Sequence, residues 1–347
     1  MFSKLINFKK PILKRLLSYN LISFSKEKNA IRWGIVGLGY MAHEFGYSIR
    51  CSKNSVISAV ASRSIAKAKK FAEKHGKCHA FGSYDELITD NANMIDVLYI
   101  STPLSVHYKL IKKAISNNIN VLCEKPIVET PEEFEELIVL AKEKNVFFME
   151  GMWMKCLPTI QRAIEKIKND QIGKVNYIKV NFNKMLNIEN YHLKYSKDKF
   201  GGVLFDYGIY AISFIHLFLG DEPQIIEKEL EKSKHGYDTK WKIVLKKNNI
   251  TGVAEISSKS NSKSCAYIIG DNGSIKFESQ FNRTNKLEVF DSVGKIKEKY
   301  YFKYTNQGFE FQINEVVNCI RSGKKESNLV SLKDSLETLK ILKSIKF

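Results

Sequence analysis

From residue 31 onward, short apolar runs alternate with stretches in which apolar residues recur every three or four positions. A short apolar run bounded by turn formers reads as a buried strand, and the longer period reads as a helix packed on it. Residues 31–36, 56–61, 97–101, 120–123 and 146–149 are therefore predicted strands. Residues 41–50, 65–75, 84–88, 106–116 and 131–144 are predicted helices between them. Thr130 should cap the last of these, with Pro131 in its first turn and Glu132 and Glu133 favoured by the dipole. Alternation of this kind predicts βαβ units in a doubly wound parallel sheet.

After Glu150 the rhythm changes. A helix over 159–168 precedes strand-like runs at 174–182, 241–245 and 251–257, the last two joined by a turn at Asn248-Asn249. Gly270-Asp271-Asn272-Gly273 separates two further runs, 265–269 and 274–277, as a second hairpin. This half is predicted to be an α+β domain built on a large, mostly antiparallel open sheet with helices on one face. The chain then divides into a basic extension (1–30), a doubly wound domain (31–150) and a second, α+β domain (151–347). A length of 347 residues, 44% of them apolar, suits two domains of the α/β class.

Composition changes this picture little. The net charge of +18 would suit a polyanionic partner if it were clustered. Residues 1–30 carry seven Lys or Arg against Glu27 alone, and the remaining excess is spread thinly along the chain, a patterning that argues against nucleic-acid binding. Within 1–30, Lys4, Lys9, Lys10, Lys14 and Arg15 mix with Leu, Ile and Phe, as in a basic amphipathic helix that Pro11 interrupts. Apolar runs of two or three residues there are too short to span a membrane. A peripheral membrane anchor, an organellar presequence and a disordered lead-in all remain open readings. Six scattered cysteines without a C-x-x-C pair fit a reducing, cytoplasmic compartment.

Chemistry first enters at Gly37-Leu38-Gly39-Tyr40-Met41-Ala42, a G-x-G-x-x-A pattern directly after a strand and opening a helix. Gly37 makes the turn, Gly39 lets a pyrophosphate approach the helix N-terminus, and Ala42 lets helix and strand pack closely. NAD-specific sites usually end the second strand with a carboxylate for the ribose hydroxyl. Ser62-Arg63 stands there instead, so a ribose phosphate is not repelled and Arg63 can pair with it. NADP is the expected cofactor, with NAD as the alternative. No zinc or iron site is expected, because His43, His75, His79, His192 and His216 do not fall at ligand spacings.

Glu124-Lys125-Pro126 stands at the end of the fifth predicted strand, where open α/β sheets place ligands. A lysine there can donate to a substrate oxygen and steady an alkoxide during hydride transfer. Downstream, Gly201-Gly202-Val203-Leu204-Phe205-Asp206-Tyr207-Gly208-Ile209-Tyr210 leads into an apolar helix, with Asp206 and Tyr210 four apart on one face. An ammonium beside Tyr210 would favour its phenolate, so Lys125 and Tyr210 form a candidate proton-transfer pair with Asp206 orienting the substrate hydroxyl.

Taken together, the glycine loop, Glu124-Lys125-Pro126, the 201–210 motif and the segment 320–327 resemble the Gfo/Idh/MocA oxidoreductases from about residue 31 to the end. The resemblance implies a nucleotide-binding Rossmann domain (31–150) followed by a substrate-binding domain (151–347) whose open sheet often makes a dimer contact and whose C-terminal helix returns to the first domain, hence a homodimer or higher homo-oligomer. It also implies that Lys125 binds substrate and that Lys125-Pro126 is a cis peptide. Many members end the later motif in D-x-G-x-H; D-x-G-x-Y resembles a subgroup containing NADP-dependent sugar and dihydrodiol dehydrogenases. Met149 to Lys155 is similar to an E-x-M-W segment of that subgroup and offers Trp153 as a substrate contact or as core. Thr102-Pro103-Leu104 departs from the family's T-P-N but keeps His107, which reads either as a cofactor or substrate contact or as a plain cap or surface residue; with Ser62 and Arg63, the resemblance offers Ser101, Thr102, Pro103, His107, Glu124 and Lys125 as cofactor contacts beyond the glycine loop. The expected activity is hydride transfer between nicotinamide and a sugar, cyclic polyol or trans-diol. A nucleotide-sugar or sugar-phosphate oxidoreductase of surface-polysaccharide synthesis and a non-catalytic NADP-binding sensor stand as the alternatives.

Overall fold

A computed structural model of the chain describes residues 25–185 and 202–347. They form two compact units. The first takes in residues 25–153 and returns for Tyr304–Leu332. The second holds Met154–Lys303, apart from the undescribed 186–201, and Lys333–Phe347.

Six parallel strands form the sheet of the first unit: β1 (Ile31–Val36), β2 (Ser55–Ala61), β3 (His79–Phe81), β4 (Val97–Ile100), β5 (Asn120–Cys123) and β6 (Phe148–Glu150). Their order, β3-β2-β1-β4-β5-β6, is the doubly wound order of a dinucleotide-binding domain, with a switch point between β1 and β4. Helices α1 (Tyr40–Cys51), α2 (Ile65–His75), α3 (His107–Ser116) and α4 (Pro131–Glu143) cross between strands. Every residue of β4 is buried, as expected for a strand covered on both faces. The α4 start is a capping box, in which Thr130 accepts from the Glu133 amide and Glu133 accepts from the Thr130 amide.

In the second unit, α5 (Pro158–Lys168) precedes β7 (Val175–Asn183), and α6 (Ile209–Leu219) precedes β8 (Gln224–Lys232). Strands β9 (Asp238–Lys247), β10 (Ile250–Ser257), β11 (Ala266–Gly270), β12 (Gly273–Phe277), β13 (Lys286–Asp291) and β14 (Ile296–Tyr301) complete an eight-stranded sheet. Its order is β14-β13-β12-β11-β7-β10-β9-β8, antiparallel except where β10 runs parallel to β7. Both predicted hairpins form, β9–β10 and β11–β12.

Two helices end the chain, α7 (Phe309–Arg321) and α8 (Leu332–Lys346). It is α7, not the last helix, that rejoins the first unit. The Asn306 side-chain amide before it donates to Glu44 O at 2.8 Å, and the Phe309 ring meets Phe45 edge-on at 6.5 Å. Helix α8 belongs to the second unit almost throughout. Among the described residues no helix is long and apolar enough to cross a membrane. The basic stretch 1–24 lies outside the described residues.

Candidate active site

Neighbouring strands of the first sheet end in step: Ala61 pairs with Val36, Val36 with Ile100, Ile100 with Cys123, and Cys123 with Glu150. The residues that follow each strand therefore line one edge. They are Gly37 to Met41, Ser62-Arg63, Ser101 to Pro103 and Glu124-Lys125, so most of the first-unit site candidates share that edge.

Gly37 has φ +80°, and a Cβ on it would stand 2.4 Å from the Thr102 amide nitrogen and 2.5 Å from the Ser101 carbonyl carbon. Only glycine fits there. Ser101 braces the same loop, its hydroxyl donating to Gly37 O at 2.9 Å. Gly39 caps α1 without a side chain, and among the described residues a Cβ on it would meet nothing nearer than Gly37 O at 3.9 Å. Open space thus lies over a helix start whose first-turn amides have no intrahelical acceptor, a cradle that fits a pyrophosphate. Leu38 is buried beneath it, Met41 is half-buried and Tyr40 is 70% exposed. At the end of β2, Ser62 is buried and accepts from the Ser64 amide, whereas Arg63 is exposed. Pro103 is exposed as well, and the buried Thr102 hydroxyl has no hydrogen-bond partner among the described residues. The edge fits NAD or NADP.

At the end of β5, Lys125 and Pro126 are joined by a cis peptide bond. The preceding Glu124 is buried and accepts a 2.6 Å hydrogen bond from the Tyr99 hydroxyl. Burial pushes its carboxyl above the usual carboxylate range, against the opposing pull of that bond and the Lys125 ammonium. His107 is 2% exposed, with Nε2 2.9 Å from Thr102 O and Nδ1 3.1 and 3.2 Å from Pro126 O and Ile127 O. Both ring nitrogens, offered to a cofactor by the sequence, thus face backbone carbonyls, to one of which the neutral ring donates its single N–H. Burial lowers the His107 pKa while those carbonyls pull it upward. Trp153, offered as a substrate contact, is 4% exposed and stacks on Phe309 with ring centroids 4.7 Å apart. The core reading of Trp153 is the one this packing supports.

In the second unit the D-x-G-x-Y motif begins as a π-helical turn, Leu204–Gly208, that runs straight into α6. Turns of this kind recur at functional sites because the extra residue breaks the regular ladder. Asp206 is half-buried and Tyr210 is 5% exposed, its ring 6.1 Å from that of Phe182. Gly208 packs closely, since a Cβ there would stand 3.0 Å from Ile256 Cδ1 and 3.1 Å from Leu204 Cδ1, so those side-chain ends would have to shift slightly for any larger residue. Lys184 lies over the Tyr207 ring at 5.1 Å. Gly201 lies outside the described residues.

Three side chains at these places escaped the sequence reading: Tyr99, Glu150 and Asp238. Asp238 is buried and accepts from the Leu204 amide and from Trp241 Nε1, each at 2.9 Å. Glu150 accepts from the Ile127 amide at 3.2 Å. Glu150 stood in the E-x-M-W segment, but nothing local in the sequence marks the other two. Among the described residues no group of three or more His, Cys, Asp and Glu side chains is placed to hold a metal ion.

Residues 31–152 match the model of the GFO_IDH_MocA oxidoreductase family, with its NAD-binding Rossmann fold, and residues 160–276 match the family's C-terminal domain. The chain belongs to the Gfo/Idh/MocA family. It is an NAD(P)-dependent oxidoreductase. A Gfo/Idh/MocA relative from Xenopus laevis, trans-1,2-dihydrobenzene-1,2-diol dehydrogenase, is 30% identical over 318 residues, 88% of this chain and 94% of its own length. Among solved structures of the Gfo/Idh/MocA fold, the aldose-aldose oxidoreductase of Caulobacter crescentus superposes with a TM-score of 0.80 at 21% identity, covering 91% of this chain and 96% of its own. A 3-ketoreductase from Actinomadura kijaniata, solved with NADP and TDP-benzene, superposes with a TM-score of 0.77 at 19% identity, covering 91% and 97%.

Proposed function

We propose that the protein is an NADP-dependent dehydrogenase of a vicinal trans-diol or a related sugar, with Lys125, Asp206 and Tyr210 as its catalytic residues. The observation that carries this reading is Lys125 at the end of β5, on the same sheet edge as the Gly37–Met41 cradle and one strand beyond β4. When bound, NADP would supply the hydride acceptor, and the glycine loop and Arg63 are the residues that would hold its pyrophosphate and ribose phosphate. Lys125 steadies the substrate oxygen, Tyr210 takes its proton and Asp206 orients the hydroxyl. The long match to trans-1,2-dihydrobenzene-1,2-diol dehydrogenase favours a trans-diol as substrate.

In the same reading the protein works as a homodimer in a reducing cytoplasm, in keeping with six cysteines that form no disulfide. Sedimentation velocity tests the dimer. The test of function is turnover of trans-1,2-dihydrobenzene-1,2-diol and of aldoses with NADP, and with NAD in parallel. Lys125→Met and Tyr210→Phe should each lower kcat by roughly a hundredfold or more. Wild-type rates in both variants would sink the assignment.

A further inference from the structure

Three buried polar side chains outside the proposed chemistry converge on the segment 124–127, Tyr99 on the Glu124 side chain and His107 and Glu150 on the backbone of Pro126 and Ile127. Tyr99, from β4, donates to the Glu124 carboxyl at 2.6 Å, and its ring is stacked on Phe45 with centroids 3.8 Å apart. Glu150, from the end of β6, accepts from the Ile127 amide at 3.2 Å. His107, from the start of α3, sets Nδ1 against the carbonyls of Pro126 and Ile127 and Nε2 against Thr102 O. The hydroxyl, the carboxylate and the imidazole each arrive from a different element.

A plain apolar core would close this end of the sheet at lower cost, because buried ionisable groups must be compensated for lost water. Backbone groups in a turn also have to be paired, but one partner for each would satisfy them. Here the Glu124 side chain before the Lys125-Pro126 peptide and the Pro126 and Ile127 backbone after it are held at once, which is what a buried polar network does to a loop. A lysine ammonium rides on a flexible four-carbon stem, so the precision of its placement starts with its own backbone.

We infer that Tyr99, His107 and Glu150 are positioning residues for Lys125, bracing the 124–127 turn so that its ammonium is delivered to one place. The inference rests on the proposed role of Lys125 for its consequence in catalysis, but the brace can be measured without any substrate.

The test uses the full-length protein with Tyr99→Phe, which removes only the hydroxyl, and Glu150→Gln and His107→Asn as second and third variants. Amide hydrogen exchange over 123–128 and the rate at which an amine-reactive ester acylates Lys125 are followed by mass spectrometry. Exchange should quicken by about tenfold locally while β9–β10 amides stay unchanged, and acylation should change by at least about threefold. In steady state with NADP and the diol, kcat should fall by about tenfold with the dissociation constant of NADP within about twofold. Unchanged local exchange or unchanged Lys125 acylation across the variants that fold would overturn the inference. So would quickened exchange with kcat intact. If the wild-type protein turns over no diol, the proposed function fails separately, and exchange and acylation still decide the brace.

Discussion

Asp238 Oδ2 accepts a 2.9 Å hydrogen bond from the backbone amide of Leu204, at the start of the turn that carries Asp206 and Tyr210. The same oxygen accepts from Trp241 Nε1, and Oδ1 receives the Lys346 ammonium at 2.5 Å. Gly202, at φ +114°, leaves room for this carboxylate, since a Cβ there would stand 2.0 Å from Oδ1. One buried anion therefore ties the motif turn to β9 and to the last helix. Asp238→Asn keeps the shape but removes the charge facing Lys346, and should cost about 1–2 kcal/mol in urea unfolding, because the half-buried Lys346 loses its ionic partner and the charge-assisted bonds from Leu204 and Trp241 weaken. An unchanged midpoint with an unchanged denaturant slope would contradict this.

Gly37→Ala should be more damaging than its size suggests. The added methyl would lie 2.4 Å from the Thr102 amide, on backbone that cannot swing away, in a φ that L residues rarely adopt. A loss of roughly 3 kcal/mol or more is expected, together with loss of the melting-temperature rise that NADP gives the wild-type protein. Gly76→Ala makes the control, since a Cβ there meets nothing within 4 Å although φ is +123°. It should cost strain alone and keep the NADP response.

Cofactor preference is predicted to turn on Arg63. It is exposed at the end of β2, and a guanidinium can form charge-assisted bonds to a ribose phosphate. Arg63→Glu should weaken NADP binding by roughly 10–100-fold, and it should leave NAD binding unchanged or improved by restoring the carboxylate that a ribose hydroxyl prefers. Isothermal titration with both cofactors checks this. Equal losses for NADP and NAD would place Arg63 outside ribose-phosphate recognition.

Acid sensitivity should reside partly in His75. Its ring is buried against Phe71, with Nε2 2.8 Å from His43 Nδ1 and with no partner for Nδ1 among the described residues. Burial first, then the neighbouring His43, Arg50 and Lys74, lower its pKa from 6.5 to about 3. Between those values the unfolded chain binds a proton that the native protein does not. Stability therefore falls as pH drops from 6.5 toward 3, with this site contributing up to about 1.4 kcal/mol per pH unit. Urea titrations at pH 7 and pH 5 should show a smaller loss in His75→Phe than in wild type. Parallel losses would contradict the assignment.

Much of the first unit was legible because its elements obey local rules. A buried parallel strand is an apolar run, a crossover helix repeats every 3.6 residues, and Thr130 with Glu133 announces a helix start. The strands that escaped notice are mostly edges: β3 has three residues, while β8 and β14 are Lys- and Glu-rich outermost strands. Charged edges resist unwanted pairing, and the same charges erase the alternation that would reveal them. The penultimate β13 was missed as well, although Leu287 and Val289 point inward.

For the site, the sequence by itself determined the residue types and their local setting: glycines where backbone must approach a phosphate, Lys125 after a strand, and Asp206 and Tyr210 one turn apart. Only the tertiary structure decided what surrounds them. Tyr99 reaches Glu124 across 25 residues and Asp238 reaches Leu204 across 34. The structure also gave His107 to backbone carbonyls and stacked Trp153 on Phe309. The physical reason is range: propensity and periodicity act over one or two turns, whereas a buried polar atom is satisfied by whatever the folded chain brings within 3 Å of it.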